Sequence, residues 1–370
     1  MLSLQRGIDK TIGTTIINIL SLSKQQNNAI PEEVLFVKLW AIGESILTLP
    51  LIQHFKQKYP DTRITILCRK QNKTIYENQK FINKVILAEP ETALQLLKQH
   101  KKYDLAFDLE PYLKLSAILS NHLSKTVIGF SHGPRAKLYD CLVHYNDKIH
   151  AVNTYLNLLK PMNLTLKAPE KLLPLIYSKK DASIVDKFFN KLPKRRPIIG
   201  MTVTSAGTAT WRRWSQENFA KLADKLIEKH NALILIPDTK NQREYIEKII
   251  EQMNHKESVY NLAGSFSLKQ LFRVIEKCKL YISNDTGPMH ISAAQRTNTI
   301  GLFGPNTPVR YAPYGKNNLS LYKSKESPVI NPHLGSFKLS SQNWMDKITV
   351  NDVFRNAEKL IYKQKRRNKR

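Results

Sequence analysis

Cysteine is scarce in this sequence. The 370 residues include three cysteines, Cys68, Cys141 and Cys278, and they lie far apart in the chain. An odd number of widely spaced cysteines suits neither a disulfide framework nor a CxxC metal site. We therefore expect a protein of a reducing compartment, the cytoplasm.

Long apolar runs are also missing near the N-terminus. The uncharged stretch TIGTTIINILSLS at residues 11–23 has 13 residues, whereas a helix needs about 20 to span a bilayer. No A-x-A-like cleavage site follows it. Its apolar residues recur at helical spacing, which predicts an amphipathic segment over residues 1–33. That segment would either lie in a membrane interface or pack on the protein's own surface, and both remain open.

Acidic residues are few compared with basic ones. Lysine and arginine total 58 against 30 acids, a net charge of +28. Such a surplus attracts nucleic acid, an anionic membrane face or an anionic substrate. No zinc finger, RNA-recognition signature or basic recognition helix occurs, which counts against nucleic acid. A lysine-rich solvated surface accounts for the charge equally well.

Two common nucleotide-binding motifs are absent. Neither GxGxxG nor GxxxxGK[ST] occurs anywhere in the chain. Their absence counts against a standard dinucleotide site and against a P-loop.

An alternation of apolar strands and helices fills most of the chain. One series opens with VLFVKL at residues 34–39, and a second opens with PIIGMTV at residues 197–203. This rhythm predicts two similar parallel α/β halves, with ligands in a cleft at the carboxyl ends of their strands. We divide the chain into an amphipathic segment, a first domain, a linker, a second domain and a C-terminal helix with a basic tail, at residues 1–33, 34–175, 176–196, 197–345 and 346–370.

The stretch SNDTGPMHISAA at residues 283–294 joins a predicted strand to a predicted helix. Asp285 or Thr286 is expected to cap this helix, whose first-turn N–H groups, beside Gly287, would attract an anion such as phosphate. The alternative is that Asp285 is only a cap and His290 only a buried polar residue.

A second candidate motif is SAGTATWRRWSQENF at residues 205–219. It places Arg212 and Arg213 just after the first strand of the second half, where a guanidinium suits bidentate phosphate contacts. The competing interpretation is a surface cation stacked on Trp211 or Trp214.

The turn WAIGES follows the first strand of the first half. Gly43 is expected to permit a tight turn, and Glu44 would lie in the cleft, where its carboxylate could accept a proton from an attacking hydroxyl. The alternative is that Glu44 is a first-turn helix acid favoured by the helix dipole. In the second half, GLFGPNTPVRYAPYG at residues 301–315 predicts a strand followed by a proline-stiffened loop beside a ligand.

Together these motifs resemble one family. They are similar, in the same order, to motifs of the bacterial heptosyltransferases of lipopolysaccharide core synthesis, glycosyltransferase family 9. The motifs are VKLWAIGESILTLPLI, YDLAFDLE, VIGF, SAGTATWRRWSQENFAKLA, YNLAGSFSLKQL, YISNDTGPMHISAA and GLFGPNTPVRYAPYG. The resemblance runs from residue 34 to about residue 340. It implies an α/β protein with the GT-B fold, in which two Rossmann-like domains face each other across a cleft. It also implies an inverting enzyme that needs no metal and no cofactor besides its nucleotide-diphospho-sugar donor.

The resemblance assigns roles to individual residues. Arg212 falls where the family usually has a lysine that steadies the leaving phosphate, and Glu44 falls where it has an aspartate as catalytic base. Gly43 is assigned to acceptor binding. The residues assigned to donor binding are Ser205, Asp285, Thr286, Gly287, Met289, His290, Gly304 and Pro305.

The longer side chain of Glu44 keeps two functions open. Misplacement of a catalytic group by about 1 Å can reduce a rate by about 10²-fold. The first function is transfer of a sugar, a heptose from ADP-heptose, onto a lipopolysaccharide core acceptor. The second is that of a non-catalytic or altered-specificity relative, which binds a nucleotide sugar or glycolipid without efficient transfer.

The expected partners follow from these functions. They are a nucleotide sugar, a lipopolysaccharide core or other glycolipid acceptor, and an anionic membrane surface, but not nucleic acid. The positive charge and the N-terminal segment would hold the protein peripherally on the inner face of the bacterial inner membrane.

Overall fold

The computed structural model describes Ile17 and residues 30–304, 306–323 and 344–367. Most of the segment predicted at residues 1–33, the end of the basic tail and Pro305 lie outside the described residues. The chain divides into two compact units, Met1–Pro169 and Glu170–Arg370.

The first unit is built on a six-stranded parallel sheet. Its strands lie in the order β3-β2-β1-β4-β5-β6, so the chain winds outwards from β1 to one edge and then from β4 to the other. The strands are β1 (Glu33–Lys38), β2 (Arg63–Cys68), β3 (Lys84–Leu87), β4 (Tyr103–Asp108), β5 (Ser124–Phe130) and β6 (Cys141–Val143). The loops after β1 and β4 therefore diverge at a topological switch point, the usual place for a ligand in such sheets.

Helices connect these strands. They are α1 (Ile42–Lys58), α2 (Lys70–Tyr76), α3 (Ala93–Leu97), α4 (Lys114–Leu123) and α5 (Ala151–Leu156), with short 3-10 helices at Pro90–Thr92, Pro134–Leu138 and Asn157–Met162. Helix α1 ends before Pro60, and α5 packs against it. On the sheet, the ring of Phe36 stacks on Phe107 at 4.8 Å, and Phe55 of α1 meets both rings edge-on. Burial of these three rings joins α1 to the centre of the sheet.

The second unit repeats the winding of the first. Its six parallel strands lie in the order β12-β11-β10-β7-β8-β9. They are β7 (Ile198–Thr202), β8 (Leu233–Ile236), β9 (Val259–Asn261), β10 (Leu280–Asn284), β11 (Asn298–Phe303) and β12 (Leu319–Tyr322). Strands β7 and β10 hold the places that β1 and β4 hold in the first unit, so the second switch point lies between them. The prediction of two Rossmann-like halves is therefore confirmed.

The helices of the second unit cover its sheet. They are α6 (Lys179–Lys191), α7 (Gln216–His230), α8 (Arg243–Ile250), α9 (Leu268–Lys277), α10 (Gly287–Ala294), α11 (Pro308–Tyr311) and α12 (Val350–Arg367), with 3-10 helices at Gly207–Arg212, Lys240–Gln242, Lys256–Ser258 and Trp344–Lys347. Helix α12 packs against α7. Among the residues described, no helix is both long and apolar enough to cross a bilayer.

Helix α6 lies inside residues 176–196, where the sequence suggests a linker. It packs against α9, and the carboxylate of Asp186 binds Arg273 and Lys277 of that helix, each at 3.1 Å. Val185 is its fully buried residue. Six of the 13 residues of α6 are charged and one is fully buried. Such a composition is also that of a linker, which explains the difference.

Ile17 is the one described residue among the first 29. It is fully buried and belongs to an apolar cluster of the first unit that includes Leu96, Tyr103 and Leu123. Both interpretations of the segment over residues 1–33 remain predictions, because its other residues up to residue 29 lie outside the described ones.

Gly200 leaves room for an aromatic ring in the second sheet. A Cβ atom at Gly200 would lie 2.4 Å from the ring of Tyr281 and 3.1 Å from the sulfur of Cys278. The hydroxyl of Tyr281 is hydrogen-bonded to Thr202 at 2.7 Å, which holds the ring in place.

We predict that Gly200→Ala lowers the free energy of unfolding by about 1–3 kcal/mol, because the ring cannot move aside without breaking its hydrogen bond. Gly207→Ala is the control, since a Cβ atom there meets nothing within 4 Å. Urea unfolding of both variants gives the comparison, and equal stabilities would contradict the packing described.

Candidate active site

The first switch point brings a buried lysine together with two glutamates. Lys38 is the last residue of β1 and is completely buried. Its Nζ lies 2.7 Å from Oε2 of Glu44 and 3.2 Å from Oε1 of Glu110. Tyr155 of α5 donates a hydrogen bond to the same oxygen of Glu44 at 3.0 Å. The Glu44 side chain is 22% exposed and that of Glu110 is 4% exposed, so Glu44 is the carboxylate within reach of a ligand.

The charges in this cluster shift one another's pKa values. Burial alone would lower the pKa of Lys38, but the charges of Glu110 and Glu44 outweigh it and raise that pKa above its usual value. Lys38 therefore stays protonated. Burial raises the pKa of Glu110 to about 7, with Lys38 opposing the rise and Glu44 and Asp108 adding to it.

The position of Glu110 is fixed from several directions. Its carboxylate accepts a hydrogen bond from the Trp40 N–H at 2.6 Å. Its own N–H donates to Asp108 at 3.0 Å, and its carbonyl accepts from the guanidinium of Arg135. Asp108 in turn accepts a hydrogen bond from Tyr139 at 2.6 Å. Glu110 is therefore part of a buried network that keeps it beside Lys38.

The turn between β1 and α1 differs from the prediction. Gly43 is the second residue of α1, and the residue with positive φ is Ala41, at φ 66° and ψ 120°. The prediction that Gly43 forms the tight turn is therefore wrong, because α1 begins before the glycine. The turn depends on Ala41 in a conformation that costs about 1–3 kcal/mol for a non-glycine residue. A contact of Gly43 with an acceptor remains a prediction.

The second switch point holds Asp285, which follows β10 and is buried. Its Oδ2 lies 3.3 Å from Nη1 of Arg212 and accepts a hydrogen bond from Nδ2 of Asn306 at 2.9 Å. Within the described part of the chain, Nε of Arg212, Oδ1 of Asn306 and Nε1 of Trp211 have no hydrogen-bond partner. Buried polar atoms are normally hydrogen-bonded, so these three atoms are candidates for contacts with a ligand.

Helix α10 begins beside Asp285 without the expected side-chain cap. Thr286 occupies the N-cap position, but its hydroxyl donates to the carbonyl of Asn284 at 3.2 Å. Thr286 is thus the N-cap residue, one of the two predicted, but its side chain makes no capping hydrogen bond, so the expectation of a side-chain cap is wrong. Asp285 is engaged by Arg212 instead. The N-cap hydroxyl, which usually accepts a hydrogen bond from a first-turn N–H group, is directed to another group. The first-turn N–H groups are therefore not occupied by this cap, which agrees with the hypothesis that they bind an anion.

The loop after β7 is held by its second arginine. Arg213 donates to the hydroxyl of Ser205 at 3.2 Å and to its carbonyl at 3.2 Å, and its guanidinium lies over the ring of Tyr245. Trp214 is fully buried, and its N–H donates to Asn284. Ser205 and Arg213 thus shape the 3-10 helix that presents Arg212.

The remaining residues predicted to bind the donor differ in their surroundings. Gly287 opens helix α10, whereas Met289 is fully buried with its sulfur beside Gly301. His290 is buried, with its ring near Tyr311. A Cβ atom at Gly304 would lie 2.4 Å from the sulfur of Met345, so close packing is one reason for glycine there. Pro305 lies outside the described residues.

The sequence alone did not single out Lys38, Glu110, Tyr155 or Asn306. Lys38 ends a strand and Glu110 follows the neighbouring one, so the strand order would have placed them together had it been known. Tyr155 has no such signal, because it comes from a helix far along the chain.

In the described ranges, no three His, Cys, Asp or Glu side chains are grouped so that they could hold a metal ion.

Known proteins are similar to this chain in sequence and in architecture. The family model described as glycosyltransferase family 9 (heptosyltransferase) matches residues 94–331. The lipopolysaccharide core heptosyltransferase OpsX of Haemophilus influenzae is 25% identical over 350 residues, 89% of this chain and 97% of that protein.

Solved structures give the same architecture. A glycosyl transferase family 9 protein from Veillonella parvula superposes with a TM-score of 0.75 at 23% identity, covering 91% of this chain and 100% of that chain. The E. coli ADP-heptose lps heptosyltransferase II gives a TM-score of 0.74 at 19% identity, covering 90% and 99%. The GT-B fold expected from the sequence is confirmed.

The raised pKa of Glu110 predicts a pH-dependent stability. Because the folded pKa of about 7 exceeds the ordinary 4.5, the protonated carboxyl favours folding. This contribution is complete below about pH 4.5 and is lost as the pH rises through about 7. Glu110→Gln cannot ionise, so its stability should not show this loss, and the difference between its free energy of unfolding and that of the wild type should change in its favour by on the order of 3 kcal/mol as the pH rises over this range.

Urea unfolding at a series of pH values measures this difference. Glu91→Gln, which removes an exposed carboxyl, is the control and should follow the wild type. Parallel curves for Glu110→Gln and the wild type would show that Glu110 ionises no differently in the folded protein.

Proposed function

This chain belongs to glycosyltransferase family 9, and from that premise we propose that it transfers a heptose from ADP-heptose to a lipopolysaccharide core acceptor. The transfer inverts the anomeric carbon and needs no metal ion or other cofactor. The names of its relatives support the donor and acceptor, since the similar E. coli protein is an ADP-heptose lps heptosyltransferase and the similar Haemophilus protein acts on the lipopolysaccharide core.

One observation carries this proposal: the two switch points hold complementary chemistry. The first has a partly exposed carboxylate, Glu44, bound to a buried ammonium. The second has a guanidinium, Arg212, beside a helix that lacks a side-chain cap among the described residues. A carboxylate suits the removal of a proton, and a cation with helix N–H groups suits the binding of a diphosphate.

The proposed reaction is a single displacement. Glu44 accepts the proton of the attacking acceptor hydroxyl, whose oxygen forms a bond to the anomeric carbon of the heptose. The bond from that carbon to the diphosphate oxygen breaks, and its electron pair leaves with ADP. Arg212 and the N–H groups at Thr286 and Gly287 stabilise the charge that develops on this diphosphate.

The role assigned to Arg212 accounts for the proposed independence from a metal ion. In many phosphate-transferring sites a divalent cation balances the charge of the leaving group. Here Arg212 has that role. Asp285 binds Arg212, and Asn306 donates a hydrogen bond to Asp285. Asp285 therefore acts as a positioning residue for the guanidinium.

We also propose a peripheral location on the inner face of the bacterial inner membrane. The net charge of +28 favours an anionic lipid surface, and a glycolipid acceptor is embedded in such a surface. Nucleic acid is not proposed as a partner.

The donor assignment predicts a ligand-dependent stability. ADP and ADP-heptose, each at about a hundred times its dissociation constant, should stabilise the protein by about 2.7 kcal/mol. We expect Arg212→Ala and Asp285→Asn to lose most of this effect in thermal unfolding with a panel of nucleotides and nucleotide sugars.

Arg196→Ala is the matched control for the donor site. Arg196 precedes the amino end of β7, where it binds the carbonyls of Asn231 and Ala232. Its variant should keep the full response to ADP. A panel in which no nucleotide stabilises the wild type would contradict the donor assignment.

The base assignment predicts a defect in turnover only. Glu44→Gln should lower kcat by about 10²- to 10⁴-fold, because the attacking hydroxyl loses its proton acceptor. Donor affinity should stay within about twofold, since the donor groups belong to the other unit. Glu33→Gln, at the amino end of β1, should transfer at the wild-type rate. Wild-type turnover by Glu44→Gln, measured as ADP release with acceptor present, would remove Glu44 from the mechanism.

A further inference from the structure

Lys38 has one more carboxylate than charge neutrality requires. A buried ammonium needs a partner, because an unpaired charge in a protein interior carries a large desolvation penalty. A single carboxylate would be enough to neutralise it. Here two carboxylates bind the same Nζ, Glu44 at 2.7 Å and Glu110 at 3.2 Å. The three groups together carry a charge of minus one when both glutamates are ionised.

The two glutamates differ in what else they contact. Glu44 lies on the first turn of α1, is partly exposed and accepts a hydrogen bond from Tyr155. Glu110 is buried and is held by the Trp40 N–H and by Arg135. The proton of a substrate can therefore reach Glu44 but not Glu110.

We infer that Lys38 and Glu110 are positioning residues for Glu44: Lys38 orients its carboxylate, and the negative charge of Glu110 increases the affinity of that carboxylate for the proton of the attacking hydroxyl. This inference rests on the proposed role of Glu44 as the base. Lys38 and Tyr155 bind the same oxygen of Glu44, which fixes the carboxylate in one orientation. Glu110 contributes through its charge.

The contribution of Glu110 lies in the state after proton transfer. When Glu44 takes a proton, its charge disappears and Lys38 loses one partner. Glu110 remains, so the buried ammonium is still paired and the cluster becomes neutral. Without Glu110, the same step would leave the ammonium of Lys38 unpaired in the interior, which is unfavourable. Glu44 is therefore a stronger base with Glu110 present than it would be if Lys38 had Glu44 as its one carboxylate partner.

Several charged or titratable groups lie around the two glutamates. Those that face Glu44 or Glu110 from the neighbouring elements are Lys38 on β1, Asp108 on β4, Tyr76 on α2, Tyr155 on α5, and Arg135 and Tyr139 at the 3-10 helix after β5. Burial raises the pKa of Tyr76 and of Tyr139, so both phenols stay neutral. Asp108 has its own cation, Arg135, at 3.9 Å.

The test compares pH profiles of kcat/KM for the full-length wild type and Glu110→Gln. Removing the charge of Glu110 should move the acidic limb down by about one pH unit or more, because two charges this close interact appreciably even when screened. The rate above the limb should fall about tenfold, since Glu44 becomes a weaker base. The affinity for ADP should not change.

Two variants separate this role from a purely structural one. Glu110→Asp keeps the charge and should restore most of the acidic limb, whereas Glu91→Gln removes an exposed carboxyl and should leave the profile unchanged. A role in folding alone would change the stability of Glu110→Gln without moving the limb. An unmoved limb with a wild-type rate in Glu110→Gln would overturn the inference.

A second readout does not depend on turnover. A carbon-13 NMR titration of the Glu44 carboxyl should give a lower pKa in Glu110→Gln than in the wild type, and an unchanged pKa would overturn the inference. If the wild type transfers no sugar, the proposed function is contradicted, and the NMR titration alone decides whether Glu110 sets the proton affinity of Glu44.

Discussion

A lysine at the end of a buried strand constrains the chemistry of the first unit. The ammonium of Lys38 is completely buried, and the interior tolerates it only because Glu44 and Glu110 bind it. This pairing requires β1 and β4 to be neighbours and requires α1 to start at once after β1. The strained backbone at Ala41 is what allows that early start. The position of the proposed base therefore follows from one desolvated charge.

The same winding serves a different chemistry in the second unit. Strands β7 and β10 repeat the arrangement of β1 and β4, but the groups after them are a guanidinium, an amide and the start of a helix. In the proposed function, the first unit thus offers a proton acceptor, and the second offers groups for the binding of an anion. A shared architecture explains why both sets lie at switch points, and the difference in side chains explains why the two units have different proposed roles.

Sequence patterns predicted the buried parts of this fold well. Central strands such as β1 and β7 are continuous apolar runs, which define them without further context. The edge strands β6, β9 and β12 were missed, because each has three or four residues and is not fully buried. The region of α6 resembled a linker, since six of its 13 residues are charged and one is fully buried.

The candidate site was predictable where chemistry follows directly from local motifs. Asp285 and Arg212 were both found from the sequence, and the structure joins them in an ion pair. The predicted side-chain cap on α10 and the predicted turn at Gly43 were wrong, because tertiary partners and backbone geometry decide such details. Glu110 escaped notice because its importance depends on the neighbouring strand rather than on its own sequence.

The central claim is that this protein catalyses a single displacement at the anomeric carbon of a heptose without a metal ion. The most direct test is to incubate the purified protein with ADP-heptose and a truncated lipopolysaccharide core acceptor in the presence of a chelator, and to determine the configuration of the new glycosidic bond by NMR. The account predicts one ADP released per heptose transferred, an inverted anomeric carbon and no effect of the chelator. Retention of configuration, ADP release without a new glycosidic bond, or loss of transfer with the chelator would contradict it.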